Sequence, residues 1–203
     1  MPSLYRCRTS LSEVAALFGT TPPARADWSA ELWPGRTGLV VRRDGEERRI
    51  EAMRWGANLP EGPADFPRHR RTALWFRELW PAHAHWLAPD ARCLIVVESF
   101  ALSDGPAGAR TRTWYGFDDP PLLAWAGVWT ASAGVAGFAG FLVSGAHPVP
   151  ATATMPAIVL PDEFDAWLGG DMSIAGRIAR QQRAHDAMYR EPTEAPWGAD
   201  RTP

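Results

Sequence analysis

The chain has 203 residues, 46% hydrophobic and 22% charged, a composition that suits one soluble domain with a real core. Its formal net charge of -2 excludes a global attraction to nucleic acid or to an anionic membrane. No apolar run reaches membrane-spanning length, and residues 2–10 carry two arginines and no apolar h-region, so neither a membrane span nor a signal peptide is expected.

In chain order, Ser10 or Ser12 caps a short helix through Leu17, with Val14, Leu17 and Phe18 on one face and Gly19 ending it. Residues 20–34 read as an extended loop rich in Pro, Ala and Trp. Residues 37–43 and 48–55 flank Asp44-Gly45, a hairpin signal. Residues 56–68 hold three prolines and read as irregular, and residues 72–80 predict a helix ending near Pro81. A helical turn over 83–87 precedes a buried strand over 92–100. A turn at 104–108 leads into strands over 110–117, 122–130 and 137–144, and a short one over 157–160. Pro161 then starts a helix, with Asp162 and Glu163 in its first turn. Ser173 caps a last helix through Tyr189, carrying Ile174, Ile178 and Met188. Residues 191–203 read as a Pro-rich disordered tail behind a single domain spanning 1–190. Many strands with few helices and no βαβ rhythm give an α+β class. The sheet is expected to be mostly antiparallel and barrel-like, with flanking helices.

All 21 basic residues are arginine, whose planar forks suit phosphates and base stacking, although a GC-rich genome accounts for the bias equally well. Arg68, His69, Arg70 and Arg71 form a basic cluster that reads either as a phosphate contact or as a solvated loop and helix start. Eleven tryptophans serve either as packing or as stacking platforms. Cys7 and Cys93 each sit in an apolar, strand-like setting and read as buried thiols in a reducing cytoplasm. His83 and His85 have a spacing that binds metal on a strand, but the stretch reads helical and lacks a third ligand, so no metal and no cofactor are expected.

Four short stretches occur in a telling order: Leu17-Phe18-Gly19, Met53-Arg54-Trp55-Gly56, Arg92-Cys93-Leu94-Ile95 and Met155-Pro156-Ala157-Ile158-Val159-Leu160-Pro161. With Leu123-Ala124-Trp125-Ala126-Gly127-Val128-Trp129 and Phe164-Asp165-Ala166-Trp167-Leu168, they resemble the SRAP family, the SOS-response-associated peptidase domains, over roughly residues 1–170. The resemblance implies an SRAP-type sheet. It also implies chemistry in which an N-terminal Cys, bared by loss of the initiator Met, closes a thiazolidine ring on an abasic site in single-stranded DNA. An Asn, a Glu and a His assist.

This chain departs from that pattern at every such position. Pro2 falls where the Cys belongs and Leu4 on an Arg. Leu102 falls on the Glu, and Thr152 and Thr154 on the His and Arg of the family's His-x-Arg-Met-Pro segment. The Asn segment aligns poorly around 67–72, and the chain's one asparagine is Asn58. Leu102 moves no proton, and Thr152 is no base near neutral pH. The expected function is therefore that of a degenerate SRAP-like protein. It would be cytoplasmic, without crosslinking or peptidase activity, and retained for binding single-stranded or abasic DNA in the damage response through Arg54, Trp55 and the 68–71 cluster.

Two alternatives stand beside it. If Pro2 becomes the N-terminus, its secondary amine is partly neutral near pH 7–8 and forms an iminium ion with an aldehyde, a route to strand cleavage. The other alternative is a pseudoenzyme that meets a protein partner through Trp28, Trp33, Trp75 and Trp80 and has no DNA role.

Overall fold

The computed structural model describes residues 2–58, 71–79, 84–132 and 134–198. Helix α1 (Leu11–Phe18) begins at Ser10, which accepts from the Glu13 backbone while the Glu13 carboxylate returns to the Ser10 N–H. Gly19 closes it in the left-handed region at φ 60°. Strands β1 (Leu4–Arg6) and β2 (Glu31–Leu32) pair antiparallel, so the stretch expected as a loop over 20–34 contributes a short strand. The hairpin forms as expected: β3 (Thr37–Asp44) and β4 (Glu47–Trp55) pair along their whole length, with Gly45 at φ 64° in the turn.

The predicted helix over 72–80 is only partly realised. Its first half is strand β5 (Ala73–Leu74), and α2 (Phe76–Leu79) is a single turn. Leu74 is drawn into the sheet by pairing with Phe141, a long-range contact that overrides local helix propensity. A 3-10 turn at Ala84–Leu87 follows.

The buried run over 92–100 is two strands rather than one. β6 (Arg92–Val97) and β7 (Ser99–Asp104) belong to different sheets, and the chain crosses between them at Glu98. The Glu98 N–H donates to the Arg6 carbonyl, and its carboxylate holds Arg8. Glu98 and Ser99 make only a two-residue polar break between buried apolar runs, too short to announce a change of sheet in the sequence.

β8 (Thr111–Phe117), β9 (Leu123–Ser132), β10 (Val135–Ser144) and β12 (Ile158–Val159) fall on the expected strands, while β11 (Thr154–Pro156) is a short strand that was not expected. Pro161 opens a 3-10 turn that runs into α3 (Phe164–Gly169). The C-terminal expectation fails. Asp171 rather than Ser173 caps α4, which covers only Met172–Ile178. Met188–Pro196 is strand β13, where a helix end and a disordered tail were expected. It pairs antiparallel with β8, from Met188 against Phe117 to Pro196 against Thr111. Its prolines are tolerated because it is an edge strand.

The fold is thus a sheet-rich α+β with two sheets. One runs β13-β8-β7-β1-β2. The other runs β11-β10-β4-β3-β6-β9-β12, and β9 also pairs with β10, so the strands β10-β4-β3-β6-β9 close into a ring. Among the named strand pairs only β10–β4 and β10–β5 are parallel. The main core lies between the sheets and under α1, α3 and α4, with Trp55, Trp125 and Trp167 at 1%, 1% and 0% exposure. Gly140 makes this packing possible, because a Cβ there would lie 2.1 Å from the Trp125 ring. A smaller cluster of Leu4, Trp33, Ala101 and Trp114 covers the other face of the first sheet. Among the described residues no helix is long and apolar enough to cross a membrane.

Both thiols are buried, and burial pushes Cys7 up to about 12 and raises Cys93 as well. Thiolate is the reactive form, so a chromogenic disulfide reagent at pH 8 should leave both cysteines of the native protein unmodified over minutes. It should titrate both once guanidinium unfolds the chain. Rapid modification of either cysteine in the native protein would contradict this packing.

Candidate functional site

β1 sets the geometry of the N-terminal region. Leu4 lies opposite Ala101 and Tyr5 opposite Phe100, so the same antiparallel register, continued by one residue, sets Ser3 opposite Leu102. Pro2 thus lies two residues before β1, whose neighbour β7 carries Leu102. Pro2 is buried. Leu102 is 7% exposed and part of the main core. Thr152 is exposed in the turn that leads into β11. Thr154 opens β11 opposite Ser144, and its hydroxyl is buried with no hydrogen-bond partner among the described residues. None of these side chains is an acid, a base or a thiol. Nothing in the group can activate a nucleophile or protonate a leaving group.

Trp55 and Arg54 are neighbours on β4 with opposite fates. Trp55 is 1% exposed, its indole N–H donates to the Thr72 carbonyl at 2.8 Å, and its ring meets Tyr5 at 5.0 Å and Trp125 at 5.9 Å. It has no free face on which a base could stack. Alternation along the strand turns Arg54 outward. Its guanidinium lies over Gly35, 3.4 Å from where a Cβ would stand, and it has no carboxylate partner among the described residues.

The chain segment under Arg54 is held by backbone bonds. The Gly35 N–H donates to the Trp55 carbonyl at 2.8 Å, and the Trp55 N–H donates to the Arg36 carbonyl at 2.8 Å. Arg71 is bridged through its backbone to Ala57 and is ion-paired to Glu78 at 3.6 Å, so its charge is partly compensated. Arg68, His69 and Arg70 lie outside the described residues.

Of the tryptophans assigned to partner binding, the described ones, Trp28, Trp33 and Trp75, do not form an exposed patch. Trp33 is 6% exposed, Trp28 donates to the Cys7 carbonyl, Trp75 is half-buried, and Trp80 lies outside the described residues. Among the described residues Val135 is the one large apolar side chain standing exposed. His85 packs against Trp86, while His83 lies outside the described residues. No group of three His, Cys, Asp or Glu among the described residues could hold a metal ion.

Sequence reasoning missed an arginine–tryptophan layer on the outer face of the first sheet. Arg6 Cζ lies 3.6 Å above the Trp114 ring, and Arg6 and Arg112 share Glu31 at 3.2 and 2.8 Å. Trp197, beyond β13, meets Trp33 edge-on at 5.4 Å. Alternation of Arg112 and Trp114 along the strand at 111–117 is the sequence signal that could have found it.

No family model matches the chain, and no curated protein matches it. Solved structures do match. A Bordetella bronchiseptica protein superposes with a TM-score of 0.75 at 18% identity, covering 94% of this chain and 99% of its own. A phage-related protein from the same organism gives 0.72 at 16% identity, over 94% and 93%. A Bacteroides thetaiotaomicron protein gives 0.74 at 12% identity, over 94% and 91%. At these identities the likeness is one of fold.

Proposed function

We propose that this chain is a catalytically silent, SRAP-like protein with a barrel-like second sheet that binds single-stranded DNA in the damage response. Arg54 is the observation that carries the reading. It is an exposed guanidinium without a carboxylate partner among the described residues, one residue from a tryptophan whose ring touches β1. Most arginines among the described residues are ion-paired, and a group that is not is available to a phosphate. The chemistry of the resembled family is absent, because Pro2, Leu102 and Thr152 supply no thiol, acid or base. Arg71 keeps a share of the phosphate contact after giving part of its charge to Glu78.

The test is a titration of single-stranded DNA, intact or carrying one abasic site, at several salt concentrations. Binding should weaken with salt, and Arg54→Ala should lower the slope of log K against log salt by about 0.7, the share of one phosphate on a single strand. A borohydride trap should give no covalent band. A trapped band lost on blocking the N-terminal amine would replace this reading with Pro2 acting as a nucleophile. The absence of any salt-sensitive binding would remove the DNA role.

A further inference from the structure

A groove lies between α2, the end of β10 and the residues that follow α4. It has a volume of about 340 Å³ and is lined in part by Trp75, Phe76, Arg77, Leu142, Val143 and Arg180. That volume falls within the range of roughly 300–1,000 Å³ occupied by small-ligand pockets. We propose that this groove binds a nucleoside monophosphate, with the base on the aromatic and aliphatic wall and the phosphate between the reach of Arg77 and Arg180.

The charge pattern singles out this groove. The cavity beside the β3–β4 hairpin, about 850 Å³, is lined by Arg48 and Arg49 against Asp44, Glu46, Glu47 and Asp165. The cavity beside β13, about 900 Å³, sets Arg8 and Arg190 against Glu13, Glu98, Asp118 and Glu191. Each of these holds more acid than base and repels an anion. Among the described residues the groove at α2 is lined by two arginines and no acid.

Glu78, next to Arg77 in sequence, is turned away from it. Its carboxylate accepts from the Trp75 N–H at 3.1 Å and pairs with Arg71 at 3.6 Å. Neither Arg77 nor Arg180 has a carboxylate partner among the described residues. Arg6, Arg8, Arg42, Arg48, Arg112 and Arg183 all have one.

Both guanidiniums are held in place without being neutralised. Arg77 Cζ lies 4.9 Å from the Trp75 ring centroid, and Arg180 Cζ lies 4.7 Å from that of Phe76. Arg180 Nε donates to the Gly176 carbonyl at 2.8 Å, which leaves its two terminal nitrogens for a ligand. Gly176 also lets α4 approach, since a Cβ there would sit 2.9 Å from Phe76 Cζ. On the far side Gln182 donates to the Gly145 carbonyl at 2.8 Å and fixes that wall.

Two fixed guanidiniums match the charge of a phosphate dianion better than that of a carboxylate, and guanidinium–phosphate contacts are bidentate. Phe76, Leu142 and Val143 are buried and make an apolar floor, while Trp75 is half-exposed and offers a ring edge to a flat base.

The proposal stands apart from the DNA reading, and its test separates the two. Deoxyadenosine monophosphate, deoxyadenosine, inorganic phosphate and benzoate are titrated by calorimetry into the full chain. The monophosphate should bind at least about tenfold tighter than each of the others. Arg77→Gln with Arg180→Gln should weaken it by at least about tenfold, with circular dichroism and melting temperature unchanged. Should that double variant unfold, each single variant is measured instead and should lose several-fold.

A monophosphate that binds no tighter than phosphate or benzoate, or an affinity indifferent to both arginines, overturns the proposal. A single-stranded oligonucleotide is then tested on the same variants. A parallel loss makes DNA the source of the nucleotide, whereas an unchanged DNA affinity makes it a free nucleotide and leaves the role of Arg54 standing.

Discussion

Replacing Trp55 with alanine should cost about 3–5 kcal/mol of stability, the range for deleting a large buried aromatic side chain. The ring sits at 1% exposure between Tyr5 and Trp125, so the cavity would open at the junction of the two sheets. The Thr72 carbonyl would also lose its indole donor, adding about 1 kcal/mol. For a chain of this length, a loss of that size should lower the melting temperature by roughly 10–15 °C. Trp55→Phe keeps most of the packing and should cost about half as much.

Urea unfolding is the measurement, with a lower midpoint at unchanged slope as the expected outcome. The result bears directly on function. A tryptophan serving as a base platform would give the opposite pattern, an intact melting curve with DNA affinity lost. Trp55 should therefore be struck from any list of nucleic-acid contacts, and Arg54 beside it should be kept. The two residues were indistinguishable in the Arg-Trp-Gly motif, and only the alternation of β4 separates them.

What was legible in the sequence was what short-range chemistry decides. Ser10 and Glu13 stand three apart, Gly19 follows the apolar face, and Asp44-Gly45 separates two alternating runs, so α1 and the hairpin are written locally. What was illegible depends on partners distant in sequence. Residues 73–74 have helical neighbours but are captured by β10. Glu98 marks the crossing between sheets only because Arg6 and Arg8 come back from the N-terminus to meet it.

The same distinction holds for the site. β1 pairs with β7, the strand that carries Leu102, and Pro2 lies just before β1, a proximity that no stretch of local sequence announces. Thr152, likewise, is exposed on a turn, and nothing in its local sequence says where that turn points. Arg77 and Arg180 are about a hundred residues apart and share a groove because α4 packs on Phe76, a contact no periodicity encodes.

Ending the chain after Arg190 should destabilise it by about 3 kcal/mol, although every residue removed was expected to belong to a disordered tail. The segment looks dispensable because Glu191, Pro192, Glu194 and Pro196 are exposed and have low strand propensity. Its contribution lies in what it covers. Glu191 and Pro192 pair with Trp114 and Thr113, Thr193 donates to the Arg112 carbonyl at 2.8 Å, and the Trp197 N–H donates to the Arg110 carbonyl at 2.8 Å. Trp197 then closes edge-on over Trp33, itself 6% exposed beside Leu4 and Trp114.

Removing the segment bares part of Trp33, frees the outer edge of β8 and leaves Arg112, 3% exposed, nearer to water. A drop in melting temperature of about 6–12 °C is the expected reading, and Trp197→Ala alone should give roughly half of it. An unchanged melting curve for the shortened chain would mean that β13 beyond Arg190 is ornamental. In that case the arginine–tryptophan layer would have to be held by β1, β2 and β8 without it.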